Sequence, residues 1–284
     1  MRILVLGKSG MLGHVVYTHF KDKGYDVYGT NPFQNDGIYY DAFNDQEAIE
    51  KIISDIKPDA VVNCIGILNQ VCEANKPLAI KLNSLLPHYM DALSEKYNFK
   101  FVHVSTDCVF EGDRGKYDET AFADATSFYG RSKALGEVKN SRSVTLRTSI
   151  VGPDENPNGI GLFQWFMNQK DTVGGYTKVI WTGVTTIELA KQIEVALENN
   201  LCGLNHVVNN DFISKHDLIT LFKESFNKAI SITENDSVVS EKTLVRTNAS
   251  FAFEIPSYKE MVEEMKQWVI KHKELYPNIV VEEK

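Results

Sequence analysis

A continuous apolar run, Ile3-Leu4-Val5-Leu6, is cut by a glycine-rich turn, Gly7-Lys8-Ser9-Gly10-Met11-Leu12-Gly13. Four apolar residues without alternation predict a strand buried on both faces. Residues 11–23 then place Leu12, Val15, Val16 and Phe20 at helical spacing, and Gly24 predicts the end of that helix. A buried strand turning directly into a helix is the first half of a βαβ unit, which demands a parallel sheet covered on both faces.

The rhythm repeats. Strands are predicted over 25–29, 60–64, 99–104 and 144–147, with helices over 46–56, 76–97 and 127–138 between them. The expected fold class is therefore α/β, a Rossmann-type doubly wound parallel sheet with a smaller C-terminal lobe. Beyond Gly152 the pattern loosens, with helices predicted over 162–167, 185–198, 214–226 and 257–276 and a strand over 205–208. Ser214 reads as the N-cap of its helix, with Asp217 as an acidic capping-box variant. Residues 1–152 are expected to form the dinucleotide-binding domain, completed by a segment near 177–200. Residues 153–284 are expected to be mainly the substrate-binding lobe.

The spacing Gly7-x-x-Gly10-x-x-Gly13 at this strand–helix junction suits a pyrophosphate. The first glycine allows the turn, the second a close backbone approach, and the third close helix packing, while the helix N-terminus offers free N–H groups. An NAD-selective site usually carries Asp or Glu at the end of the second strand. Here that strand runs into Tyr28-Gly29-Thr30-Asn31-Pro32, with no carboxylate to repel a 2′-phosphate. Lys8 and Asn31 are the candidates to meet that phosphate, so NADPH is expected to be preferred, with NADH still usable.

Tyr129-Gly130-Arg131-Ser132-Lys133 sets a phenol and an ammonium four residues apart on one helical face. A second such spacing, Tyr17–Lys21, lies on the first helix and reads as a surface i,i+4 contact. The pair at 129 and 133 instead follows a predicted strand ending in Ser105-Thr106-Asp107, at the sheet edge where ligands bind. A nearby positive charge favours the phenolate and makes a phenol a better proton donor. Thr106 is placed to hydrogen-bond the same substrate oxygen.

The 284-residue chain carries a formal net charge of −8, which argues against nucleic acid or an anionic membrane as partner. The apolar run at the start is too short for a signal peptide, and no stretch approaches the ~20 apolar residues of a membrane span. Four cysteines, without CxxC spacing, read as reduced thiols in a cytoplasmic chain. The seven histidines form no metal-ligand pattern, so no metal is expected. His103 reads as a core residue, and Trp165 and Phe166 more as core than as a substrate platform. Cys108 lacks a basic partner that would make it a nucleophile.

Together, GKSGMLG, VVNCIG, STDCVFEG, YGRSKALGE and LRTSIVG, in this order, resemble the extended short-chain dehydrogenase/reductases, and within them the dTDP-4-dehydrorhamnose reductase family. The resemblance covers at least residues 1–152, with weaker echoes in WTGVTTIELAKQI and VRTNASF. It implies that Thr106, Tyr129 and Lys133 are catalytic and that Gly7, Gly10, Met11 and Leu12 line a pyrophosphate. It further implies Asp41 and Ala42 at the adenine, Cys64, Ile65 and Gly66 along the cofactor ribose, and Ser149 and Ile150 bordering the nicotinamide. Asp107, Cys108 and Arg246 fall to the nucleotide-sugar, with Arg246 as its phosphate ligand.

The function so implied is reduction of a 4-keto deoxysugar nucleotide for surface polysaccharide precursors. Cys108, Ile150 and the stretch 64–68 depart from the family's usual residues, which leaves the sugar open, as are the nucleotide and the oligomeric state, a homodimer being one option. Two rivals remain. Epimerases and dehydratases of the same superfamily share the framework, although the dehydratases typically carry Asp–Glu where this chain has Asp107-Cys108. A non-catalytic NADP-binding regulatory subunit would also share it, although retention of Thr106, Tyr129 and Lys133 favours an enzyme.

Overall fold

The computed structural model describes residues 1–33, 37–248 and 251–281. Among them, seven parallel strands build the central sheet: β1 (Arg2–Leu6), β2 (Asp26–Asn31), β3 (Ile38–Tyr39), β4 (Ala60–Asn63), β5 (Lys100–Thr106), β6 (Val144–Thr148) and a last strand, Gly203–His206. Their spatial order is Gly203–His206, β6, β5, β4, β1, β2, β3. The chain runs outward from β1 to β3 and then returns to the other side of β1 as β4. That reversal opens a crevice at the carboxyl ends of β1 and β4, where ligands bind in doubly wound sheets. The Rossmann-type α/β architecture is the one the sequence predicts.

Alternation within β1 divides the core. Ile3 and Val5 join Val15, Val16 and Phe20 of the Gly13–Asp22 helix on one face, whereas Leu4 and Leu6 join Ile49, Ile53, Leu86 and Phe101 on the other. Each such side chain contributes about 1.5–3 kcal/mol on full burial, so a one-residue slip, which would exchange the two faces, is strongly disfavoured. The first face also holds Ile187 and Ile193 of the Thr186–Glu198 helix and Met265 and Trp268 of the Tyr258–Lys271 helix. One apolar core thus continues from the sheet into the C-terminal part.

Several elements differ from expectation. The first helix begins at Gly13 rather than residue 11, which leaves Met11 and Leu12 in the turn, and Gly24 ends it with φ +79°. β2 continues to Asn31 and buries Thr30 and Asn31. The 76–97 segment is interrupted by a π-helical stretch, Ile80–Leu85. The last strand is Gly203–His206 rather than 205–208, and the final helix stops at Lys271 before a 3-10 turn, Lys273–Leu275.

The C-terminal part also holds short strands with no expectation behind them. Ile150–Val151 pairs with Val184–Thr185, and Val179–Trp181 pairs with Ile213–Ser214 and Ser240–Glu241. Thr172–Tyr176 pairs with Ser231–Asn235. Among the described residues no helix is long and apolar enough to cross a membrane.

Candidate active site

The glycine turn rises from β1 into a cavity of about 300 Å³, walled by Gly7, Gly10, Asn31, Asp41, Ala42, Cys64, Ile65 and Gly66 among others. Gly7 has φ +78°, which L side chains rarely adopt. A Cβ on Gly13 would lie 1.9 Å from the Gly7 carbonyl oxygen, so helix and turn meet there by close packing. A Cβ on Gly10 or Gly66 would find no atom nearer than 3.5 and 3.9 Å, so both leave open backbone beside the cavity. Asp41 Oδ1 accepts the backbone N–H groups of Phe43 and Asn44, each at 3.0 Å, and Asn31 Oδ1 accepts that of Phe33 at 2.7 Å. The open glycine backbone and the helix N-terminus beside it fit a dinucleotide.

Lys8 does not wall this cavity. Its stem lies against Gly29 on β2, and its ammonium sits 4.8 Å from the centroid of the Tyr17 ring. Lys21 lies 6.0 Å from the same ring, so Tyr17 and Lys21 are the local pair the sequence suggests.

At the carboxyl end of β5, Thr106 is its last residue, and a 3-10 turn, Asp107–Val109, follows. The Thr106 hydroxyl donates to Asp107 Oδ1 at 3.1 Å, accepts the Cys108 backbone N–H at 3.1 Å, and lies against the Tyr129 phenol. Ser127 caps the Phe128–Leu135 helix by accepting the Gly130 backbone N–H, and this helix carries Tyr129 and Lys133. The Lys133 ammonium donates to the Val104 carbonyl at 2.7 Å on β5. Thr106, Tyr129 and Lys133 are thereby brought together, all buried.

The electrostatics correct one expectation. The Tyr129 phenol is not eased toward ionisation. Burial pushes its pKa up, and the neighbouring Cys108 and Asp107 add to the effect. Burial also lowers the Lys133 ammonium to about 8, with Glu137 opposing. Burial dominates at the phenol against the one opposing influence, the Thr106 hydrogen bond, and Tyr129 is held firmly as a neutral acid. Burial likewise pushes the Cys108 and Cys64 thiols up to about 12, so neither is a thiolate nucleophile at neutral pH.

Ser149 and Ile150 follow the end of β6, where Thr148 pairs with Thr106, on the same sheet edge as the threonine. Arg246 lies elsewhere, in a cavity of about 640 Å³ that includes Thr182, Asn210 and Phe251. Its guanidinium donates to the Phe253 carbonyl and, at 2.6 Å, to Asn210 Oδ1. His103 is a fully buried core residue, accepting at Nδ1 from Asn63 Nδ2 at 3.2 Å. Phe166 is buried as expected, whereas Trp165 is 39% exposed and is not core.

Two residues at the site escape sequence reading. Asn83, within the π-helical stretch, donates through Nδ2 to the Ile67 carbonyl at 2.9 Å and to Ser132 Oγ at 3.1 Å. Its Oδ1 accepts the Ile67 backbone N–H at 2.9 Å. It ties the cavity-lining 65–67 loop to the helix of Tyr129 and Lys133. An asparagine set among Leu82, Leu85 and Leu86 was the available signal. Lys215 opens the Lys215–Ser225 helix behind its N-cap Ser214 and acts electrostatically on Asp107 and Cys108. Among the described residues, no three His, Cys, Asp or Glu side chains are grouped to hold a metal ion.

Comparison with known proteins places this geometry. Residues 1–267 match the family model described as the RmlD substrate binding domain. The probable low-salt glycan biosynthesis reductase Agl14 of Haloferax volcanii is 27% identical over 232 residues, 76% of this chain and 77% of that protein. The dTDP-4-dehydrorhamnose reductase of Aggregatibacter actinomycetemcomitans is 26% identical over 257 residues, 85% and 84% of the two chains. The crystal structure of dTDP-4-dehydrorhamnose reductase from Bacillus anthracis, in complex with NADP, superposes with a TM-score of 0.79 at 22% identity, covering 94% of this chain and 99% of that one.

Proposed function

The chain belongs to the RmlD substrate binding domain family and is an NAD(P)-dependent oxidoreductase of the short-chain type; from that premise we propose that it reduces the ketone of a 4-keto deoxysugar nucleotide, with NADPH as the preferred reductant. The observation that carries this reading is the convergence of the Thr106 hydroxyl and the Tyr129 phenol at the sheet edge that also holds the glycine-turn cavity. The Agl14 reductase and the rhamnose reductase among its relatives suit a role in making polysaccharide precursors.

In this reading residues 1–152, with the Thr186–Glu198 helix and the Gly203–His206 strand, form the cofactor part, and most of the remainder receives the substrate. Gly7, Gly10, Met11 and Leu12 receive the pyrophosphate, Asp41 and Ala42 the adenine, and Cys64, Ile65 and Gly66 the ribose. A bound NADPH supplies the hydride. The chain's own work is to hold the ketone and deliver a proton to its oxygen. The Thr106 hydroxyl turns its single proton from Asp107 Oδ1 to donate a hydrogen bond to that oxygen. Tyr129, kept neutral by burial, gives up its proton as negative charge develops there. The Lys133 ammonium then steadies the phenolate, which has lost the hydration that would otherwise do so. Excluding water from this buried group strengthens each of these interactions.

The test is a screen of 4-keto nucleotide-sugars that follows loss of NADPH absorbance. Turnover of at least one dTDP- or UDP-linked 4-keto sugar is expected. A purified, folded chain that binds NADPH and reduces none of them would reject the assignment.

A further inference from the structure

Lys215 breaks a local rule. It is the first residue of its helix, where the backbone N–H groups already present positive charge and a cation is disfavoured. Its ammonium is moreover partly withdrawn from water, and burial lowers its pKa to about 8. Among the described residues nothing hydrogen-bonds or ion-pairs with it. Its close partner is the face of Trp181, 4.6 Å away, a contact worth little beside a lost carboxylate or hydration shell. The Trp181 indole N–H is itself buried without a partner. When local energetics oppose a residue, the reason lies in the tertiary site.

The charge acting most strongly on this ammonium is that of Asp107, in the turn that directly follows Thr106. In return, Lys215 is the leading influence drawing the Asp107 carboxyl back toward ionisation against its burial, ahead of the Thr106 hydrogen bond and of Lys242. Carboxylate and ammonium therefore act on one another, and no hydrogen bond or ion pair joins them among the described residues. A hydroxyl is the group that satisfies both at once, accepting from the ammonium while donating to the carboxylate.

We infer that Lys215 and Asp107 together bind a ring hydroxyl of the sugar beside the carbonyl held by Thr106 and Tyr129, which makes Lys215 a specificity-determining residue of the sugar subsite. This rests on the nucleotide-sugar reading above. Arg246 lines the separate, larger cavity and belongs to the nucleotide end of the same ligand.

Calorimetry in saturating NADP⁺ separates the possibilities, with dTDP-glucose against dTDP, and UDP-glucose against UDP, on wild type, Lys215→Met, Lys215→Arg and Arg246→Ala. Lys215→Met should weaken the sugar-bearing ligand about 10- to 100-fold, the range for losing a charged hydrogen bond, and leave the free nucleoside diphosphate within about two-fold. Lys215→Arg should recover part of the loss, and Arg246→Ala should weaken both ligands alike. Lys215→Gln replaces the methionine variant if that one fails to fold. Equal weakening of dTDP or UDP by Lys215→Met would overturn the inference by assigning the cation to the diphosphate. Unchanged dTDP- or UDP-glucose affinity would overturn it by leaving the ammonium to water. A wild type that binds neither pair would remove the nucleotide-sugar reading and this inference with it, and that failure is visible before any substitution.

Discussion

Arg147 grips Glu137 with two hydrogen bonds, 2.7 Å from Nε to Oε1 and 2.6 Å from Nη2 to Oε2, and both side chains are shielded from solvent. Glu137 stands just past the helix of Tyr129 and Lys133, and its Oε1 also accepts from Ser105 at 2.8 Å on β5. Arg147 in turn meets His206 Nε2 at 3.0 Å, and His206 Nδ1 meets the Val245 carbonyl at 2.8 Å. The helix of Tyr129 and Lys133, three strands and the wall of the larger cavity are thus joined through one buried ion pair.

Breaking that pair from one side leaves an uncompensated buried charge. Glu137→Leu and Arg147→Met should each destabilise the fold by about 3–5 kcal/mol, whereas the double variant should lose less than the sum. Urea unfolding of the four proteins measures this. Strict additivity would show the two side chains to be energetically independent. Lys139→Ala, removing the half-exposed partner 3.2 Å from Glu137, should cost under 1 kcal/mol.

Tyr129→Phe keeps the ring and removes the acid. It should lower kcat by about 10²–10⁴-fold with little change in NADPH affinity, whereas Tyr17→Phe should leave kcat near wild type. Stopped-flow reduction of whichever 4-keto sugar the screen yields decides the matter. Wild-type kcat in the Tyr129 variant would remove this residue from the chemistry.

Two buried histidines set the acid limb of stability. His14 donates through Nδ1 to the Gly10 carbonyl at 2.9 Å and accepts at Nε2 from the Tyr276 hydroxyl at 2.7 Å, so it is neutral. Burial lowers the pKa of His14 and of His206 to about 4, with Arg147 adding to the effect on His206. In the unfolded chain both titrate near 6.5. The stability they protect is complete above about pH 6.5 and is lost as pH falls toward 4, by roughly 3 kcal/mol each at the limit. The melting temperature of wild type should therefore fall between pH 7 and pH 5, and more steeply than in His14→Gln or His206→Gln. Parallel curves for all three would contradict the assignment.

Although Lys8 does not wall the glycine-turn cavity, its stem rests on Gly29 close to where β2 ends without a carboxylate, and we propose that it reaches a cofactor 2′-phosphate there. Lys8→Ala should reduce the NADPH-over-NADH ratio of kcat/KM by about 3- to 10-fold, the scale of one charge-assisted contact to phosphate. An unaltered ratio would exclude Lys8 from 2′-phosphate recognition.

The sequence by itself determined the layered α/β plan, because its strongest elements announce themselves locally. An unbroken apolar strand such as Ile3–Leu6 fits only a sheet covered on both faces, and a glycine turn at its end fits only a strand–helix junction. The end of the strand at Thr106 and the helix that follows then indicate where Thr106 and Tyr129 must stand. What needed the tertiary structure was everything set by partners distant in sequence. Strands of two residues, such as Ile150–Val151, are too short to carry any period, so their pairing with Val184–Thr185 leaves no local trace. The burial of Tyr129, and hence the upward shift of its phenol, comes from surroundings supplied by other segments. Arg147 lies in a strand buried throughout, which demands a counter-charge without naming Glu137. The conflict of Lys215 with its own helix dipole already follows from the N-cap at Ser214, whereas its action on Asp107 arises only in the fold. Local patterning fixes which elements form, whereas burial and charge pairing depend on which of them meet.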